Sequence, residues 1–212
     1  MAEIFILNVS ECEEELLKLL PKISKERISK IEKLYNAQAR LLSIASEVIL
    51  AFSLSENLPI TYKTDKNGKP FIPTLPFFNI THSGSLVGCA VSNKQVGLDI
   101  EKISRMKMDI ARKILSPEEY SASQHLSGAQ LQSALCEKWV RKESYLKMTG
   151  EGLRRSMSSL NFSGDSLEGS DIFCRTFTLS DGYMLSFCRE EEVPLNLRFI
   201  SPNDLKEYFS LT

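Results

Sequence analysis

The 212-residue sequence predicts an α+β fold, and three observations carry that expectation. Through residues 25–52 apolar side chains recur at helical spacing, with Leu41, Leu42, Ala45, Val48, Ile49 and Phe52 on one face. Several shorter stretches alternate apolar and polar residues, as half-buried strands do. The chain also echoes itself: each half offers a long amphipathic helix followed by several short strands. Phe78-Asn-Ile-Thr-His-Ser-Gly84 and Thr176-Phe-Thr-Leu-Ser-Asp-Gly182 both read as a strand entering a tight turn, each followed by a strand holding a cysteine. Two related α+β halves, 1–96 and 97–212, explain the echo. Chance does too, because helix-then-hairpin is a common unit.

The elements follow in order. Residues 4–9 read as a first strand, since the start has no basic region and only a short apolar run. One helix is expected from Lys25 to Phe52, with Ser24 as its cap. Strands follow near 60–63, 77–81 and 86–91, with Thr81–Ser85 as the turn between the last two. Residues 95–101, Gln-Val-Gly-Leu-Asp-Ile-Glu, alternate as a strand. Ser116-Pro-Glu-Glu119 opens a helix: a Ser cap, Pro at the first position, Glu three residues after the cap. Residues 123–129 are a polar break. A longer helix runs from 130 to 148 and is closed by Gly150 and Gly152. Strands near 158–163, 172–179, 183–188 and 196–200 follow, and Ser201-Pro202 opens a last short helix. No long linker separates the halves, so tight packing is expected.

Composition excludes some functions. The formal net charge is -1, which gives no global basic field for nucleic acid. The longest apolar stretch, Leu41 to Phe52, is broken by Glu47, so no segment is expected to span a membrane. The five cysteines contain no CxxC pair, so neither a zinc site nor a disulfide frame is expected, and a reducing cytoplasm is.

Chemistry concentrates in two motifs. Asp99 and Glu101 are two apart on a strand and point to one side, while Leu98 and Ile100 face the core. Paired carboxylates repel and raise each other's pKa unless a cation sits between them, so the pair forms half of a site for a hard divalent ion. A solvated strand edge is the other reading. On the later helix Trp139, Glu143 and Lys147 form one stripe. The plainer reading there is an exposed charged helix anchored by its Trp, with a Glu143–Lys147 pair. Thr81-His82-Ser83 offers two hydroxyls and an imidazole to phosphate oxygens. It lacks the G-x-S-x-G setting of a hydrolase nucleophile, and His125, the other histidine, lies in a polar stretch. Gly68-Lys69-Pro70 is a turn presenting a lysine. Arg27, Lys30 and Leu34 share a helical face, with Ile28, Ile31 and Tyr35 turned to the core and Arg40 further along. Solvation of such a basic face is the alternative.

In order and spacing, Gly68-Lys-Pro70, Asn79-Ile-Thr-His-Ser83, Gly97-Leu-Asp-Ile-Glu-Lys102, Trp139-Val-Arg-Lys-Glu-Ser-Tyr-Leu-Lys147 and Gly150-Glu-Gly-Leu153 resemble the Sfp-type 4′-phosphopantetheinyl transferases. Thr81 stands where that family usually has Ser, and the segment between Tyr35 and Arg40 is shorter. The resemblance implies two similar halves about a pseudo-twofold axis with coenzyme A between them. It implies Mg2+ held by Asp99, Glu101 and Glu143, with Lys147 on the leaving-phosphate side. It places Lys142 and His82 on phosphates, Lys69 and Thr81 on the nucleotide, and Arg27, Lys30 and Arg40 toward the 3′-phosphate. The implied reaction moves phosphopantetheine to a serine of an apo acyl, peptidyl or polyketide carrier protein and releases 3′,5′-ADP. The base is Glu143 or a metal-bound water, and a monomer is expected. Two rivals are another Mg2+-dependent nucleotide-processing enzyme, such as a phosphohydrolase, and a silent module that binds coenzyme A or carrier domains.

Overall fold

The computed structural model describes residues 1–211, with Met108, Leu153 and Ser163 described by backbone only. The side chain of Leu153, which ends the last motif above, therefore lies outside the described residues.

Along the chain the elements are β1 (Ala2–Asn8), α1 (Glu13–Leu19), α2 (Lys25–Glu32), α3 (Ala37–Ser53), β2 (Lys63–Thr64), β3 (Pro70–Phe71), β4 (Phe77–Ser83) and β5 (Leu86–Ser92). Then come β6 (Val96–Lys102), α4 (Ala111–Ile114), α5 (Pro117–Ser123), α6 (Gly128–Thr149), β7 (Phe162–Ser163) and β8 (Ser166–Leu167). The chain ends with β9 (Phe173–Leu179), β10 (Tyr183–Arg189), β11 (Leu195–Ile200) and α7 (Pro202–Phe209). This is the expected α+β mixture.

It divides into two compact units, but not as two halves in sequence. The first holds Met1–Lys63, Pro70–Asn93 and the chain from Pro194 on; the second holds Thr64–Lys69 and Lys94–Val193. The second unit takes up the chain at Lys94, and the C-terminal segment from Pro194 returns to the first unit. The reason is a parallel pairing of β11 with β1, from Ala2↔Leu195 to Leu7↔Ile200. Reading elements in sequence order cannot show such a long-range parallel partner.

The sheet of the first unit has the order β11-β1-β5-β4. One of its faces supplies Phe5, Leu7, Val87 and Cys89 to a core closed by Leu16 and Leu19 of α1, by Ala45, Val48, Ile49 and Phe52 of α3, and by Leu205 and Phe209 of α7. The single helix expected over 25–52 is two. Ser24 caps α2 as expected, accepting from the Arg27 amide. Asn36 caps α3, accepting from the Ala39 amide at 2.7 Å. A side-chain oxygen that satisfies a free helical amide starts a new helix there, although apolar periodicity runs through the break. Tyr35 sits in that break and is 89% exposed rather than turned to the core; Ile31 is buried as expected. The helix α1 was not expected. Its first turn is three glutamates, one of which, Glu15, is buried beside Leu16 and Leu19.

The second unit has the sheet order β6-β10-β9-β8-β7, covered by α6. Its core includes Leu135, Cys136, Val140 and Leu146 of α6 with Cys174, Met184 and Cys188 of β9 and β10. At the start of α5 the predicted capping box is complete: Ser116 Oγ accepts from the Glu119 amide, and the Glu119 carboxylate accepts from the Ser116 amide. Gly150 closes α6 in the left-handed region at φ 73°, which glycine adopts without a Cβ clash. One expectation is corrected here. Cys174 and Cys188 form a disulfide. The β9–β10 hairpin turns about Asp181, at φ 60°, and its register sets the two cysteines directly opposite. Cys12, Cys89 and Cys136 are buried thiols.

Candidate active site: a carboxylate and lysine cluster on β6 and α6

The site is built where α6 lies against β6. Gly97 makes that approach possible: a Cβ there would lie 1.8 Å from the Ser144 carbonyl oxygen and 2.7 Å from the Met148 amide nitrogen. Two residues further along β6, Asp99 is buried, and Lys147 of α6 donates to its Oδ1 at 2.6 Å. Ser186, opposite Asp99 on β10, accepts from Ser144 Oγ at 3.2 Å and so ties α6 to the sheet.

Glu143 lies one turn before Lys147 on the same side of α6. Burial pushes its carboxyl above the ordinary carboxylate range, the charge of Asp99 pushes it the same way, and Lys147 works against both. Cys136, two turns earlier, donates from Sγ to the Glu101 carbonyl at 3.8 Å. Burial, then the charges of Glu101 and Asp99, push this thiol up to about 12. Asp99, Glu143 and Lys147 therefore feel one another, and Glu101 acts with Asp99 on the Cys136 thiol. Glu101 is the outlying member: its carboxylate accepts from the Lys102 amide at 2.8 Å and lies 3.6 Å from Arg105.

Among the described residues no group of three or more His, Cys, Asp or Glu side chains stands arranged to hold a metal. The donor chemistry nonetheless suits a hard cation. Asp99 and Glu143 are close enough to raise one carboxyl, and in this state the Lys147 ammonium balances Asp99.

Other predicted site residues are placed differently. Lys142 is fully buried, and its ammonium donates to the Ile114 carbonyl at 2.6 Å and to the Glu119 carboxylate. It adjoins Glu143 in sequence but lies about 100° round the helix, so its ammonium sits in a buried ion pair where a phosphate contact was expected. Lys69 spends its ammonium on Gln95, Val96 and Met148. In the first unit Thr81 and His82 lie on strand β4, not in a turn, because the pairing with β5 continues to Ser83↔Leu86. Thr81 is buried and His82 exposed, as neighbours on a strand must face opposite ways.

The basic residues expected at the 3′-phosphate are engaged separately. Arg27 Nε lies 2.8 Å from Glu47 and its guanidinium donates to Ser43. Glu47 also accepts from the Tyr62 hydroxyl. Burial pushes the Glu47 carboxyl up, and Arg27 opposes the shift. Lys30 pairs with Glu26 on the exposed side of α2, and Arg40 Nε donates to the Leu34 carbonyl. Residues the sequence reading left without a role include Ser144, Ser186 and Arg141. Arg141 joins Glu137 on α6 to Asp165 and to Thr176 on β9. Its signal was the i, i+4 spacing of Glu137 and Arg141.

The chain is similar to known 4′-phosphopantetheinyl transferases. The sequence model of the 4′-phosphopantetheinyl transferase superfamily matches residues 95–197, which hold all four clustered residues. A 4′-phosphopantetheinyl transferase of Bacillus subtilis is 31% identical over 188 residues, covering 81% of this chain and 84% of its own. The 4′-phosphopantetheinyl transferase Sfp of Bacillus subtilis (strain 168) is 28% identical, covering 91% of this chain and 94% of its own. A solved holo-(acyl-carrier-protein) synthase of Bacillus anthracis str. Ames, in complex with CoA (3′,5′-ADP), overlaps 44% of this chain and 92% of its own at 19% identity, with a TM-score of 0.39. With a relative at 31% identity along most of both chains and the superfamily's sequence model on the very segment that carries Asp99, Glu101, Glu143 and Lys147, this chain belongs to the 4′-phosphopantetheinyl transferase superfamily.

Proposed function

We infer that the protein transfers the 4′-phosphopantetheine arm of coenzyme A to a serine of an apo acyl, peptidyl or polyketide carrier protein, releasing 3′,5′-ADP. The observation that carries this reading is the approach of Asp99, Glu143 and Lys147 across the Gly97 contact, in a chain of this superfamily. In the reaction the serine oxygen forms a bond to the β-phosphorus of coenzyme A, and the bond from that phosphorus to the oxygen of the departing 3′,5′-ADP breaks. Phosphoryl transfer asks the protein for alignment and charge neutralisation rather than covalent chemistry.

Asp99, Glu101 and Glu143 are the ligands proposed for Mg2+. When bound, the ion offsets the charge of the pyrophosphate oxygens that repel the incoming hydroxyl. Glu143, with its raised carboxyl, is the group proposed to take the serine proton. Lys147 holds Asp99 in place here, and its charge is proposed to stabilise the leaving phosphate. Coenzyme A contacts are assigned to Thr81, His82, Arg27, Lys30 and Arg40. Exposed Lys30, Arg40 and His82 support that assignment, and the Arg27–Glu47 pair limits what Arg27 can offer. No helix among the described residues is long and apolar enough to cross a membrane. The three buried thiols support a cytoplasmic place of work; the disulfide does not.

Asp99→Asn, Glu101→Gln and Glu143→Gln test the site. Each is expected to cut carrier modification by on the order of 100-fold, the loss of a several-kcal/mol electrostatic contribution. Near wild-type rates in two of the three would sink the assignment. Glu143→Gln has a second readout. A carboxyl titrating above its unfolded value adds stability below the ordinary carboxylate pKa and loses it as pH rises through the raised value. In metal-free protein the variant should therefore gain on the wild type as pH climbs from the carboxylate range to neutrality, measured by denaturant melts.

A further inference from the structure

The turn at 64–69 belongs to the second unit, and its last residue reaches both elements of the site. Lys69 Nζ donates to the Met148 carbonyl at 2.8 Å, to Gln95 Oε1 at 3.0 Å and to the Val96 carbonyl at 3.3 Å. Met148 is in the last turn of α6, where carbonyls lack intrahelical partners and the helix dipole is negative. Val96 opens β6. One ammonium thus joins the end of the helix carrying Glu143 and Lys147 to the start of the strand carrying Asp99.

The turn is shaped for this. Asp65 Oδ1 accepts from the amides of Asn67 and Lys69, and the turn lies beside Gly150 at the end of α6. A Cβ at Gly150 would meet Asp65, Asn67 and Lys69 side-chain atoms at 3.6, 3.7 and 3.8 Å. Burial draws the ammonium down to about 8, with Asp65 acting against it, so it is a costly charge answered mainly by carbonyl dipoles.

We propose that Lys69 is a positioning residue of the transfer site, fixing the end of α6 against the start of β6 and so the distance of Glu143 and Lys147 from Asp99. This rests on the reading of the carboxylate cluster as the Mg2+ site. It differs from the nucleotide contact that the Gly68-Lys69-Pro70 motif implies, because the ammonium is here engaged with Gln95, Val96 and Met148.

The test compares wild type with Lys69→Met and Lys69→Arg. In metal-free protein Lys69→Met should speed hydrogen exchange in residues 146–149 and 96–98 and leave the β9–β10 hairpin unchanged. Its kcat should fall about tenfold while KM for coenzyme A moves less than about twofold, as for loss of a group that orients metal ligands. The Mg2+ concentration at half-change of fluorescence from Trp139, the single tryptophan, should rise about tenfold. Lys69→Arg, which still donates to carbonyls, should recover most of each. A many-fold rise in KM for coenzyme A with kcat intact would make Lys69 a nucleotide contact and overturn the proposal, as would unchanged exchange and unchanged kcat. If Lys69→Met does not fold, Gln95→Ala decides by the same exchange: faster supports the clamp, unchanged refutes it. Wild-type transfer that needs no Mg2+ would sink the metal reading alone, because exchange judges the clamp without metal.

Discussion

Lys142 and Glu143 are neighbours in sequence with opposite fates. The helical turn of about 100° per residue sends Glu143 toward Asp99 and Lys142 into the interior, against Glu119 and the Ile114 carbonyl. Burial pulls the Lys142 ammonium down, and Glu119 holds it up. Breaking a buried pair leaves one charge desolvated, so Lys142→Met should destabilise by about 3 kcal/mol, the low end for such pairs. The low end is apt because Lys138 stays 3.3 Å from Glu119. Lys142→Met with Glu119→Gln, which keeps an N3 partner for the Ser116 cap, should recover most of the loss in urea melts. KM for coenzyme A should stay near wild type in both. A large rise in KM with stability unchanged would return Lys142 to the phosphate role. At this scale the sequence was informative where period alone decides direction. Asp99 and Glu101, two apart on a strand, and Glu143 and Lys147, four apart on a helix, were legible from spacing. Lys142 was not, because its partner is 23 residues away on another helix.

Between elements the tightest constraint is Gly97. An added Cβ would sit inside the Ser144 carbonyl, and neither backbone is free to yield. Gly97→Ala should therefore move β6 off α6, cost about 3 kcal/mol as strong overpacking does, and lower transfer with it. Ser144→Ala in the same chain should not rescue it, because the clash is with backbone. Thermal melts and transfer rates check both, and a Gly97→Ala protein with wild-type stability would contradict the packing. Helix starts were the most legible feature: Ser24, Ser116 and Ser201 each cap as read, because a cap is chemistry within four residues. The Asn36 restart was hidden by apolar spacing that runs unbroken from α2 to α3. The Cys174–Cys188 bridge was hidden in a different way, because it depends on a hairpin register centred at Asp181 that residue spacing alone did not fix.

For the whole molecule, the motif set and the fold divide the work unequally. Asp99, Glu101, Glu143 and Lys147 all lie in the second unit, on two elements packed against each other, so the ordered local pattern that singles them out is one the fold keeps on neighbouring elements. The return of β11 to β1 was invisible, because a parallel partner almost two hundred positions away leaves no local mark. The basic residues Arg27, Lys30 and Arg40 matched by position, yet each has its own partner. The central claim is transfer itself, and intact mass measures it most directly. Apo acyl, peptidyl and polyketide carrier proteins are incubated with the enzyme, coenzyme A and Mg2+. At least one should gain roughly 340 Da, one phosphopantetheine on one serine, with 3′,5′-ADP formed in equal amount. Glu143→Gln should leave the same carrier at its apo mass. No gain on any carrier by the wild-type enzyme, or an equal gain with Glu143→Gln, would contradict the account.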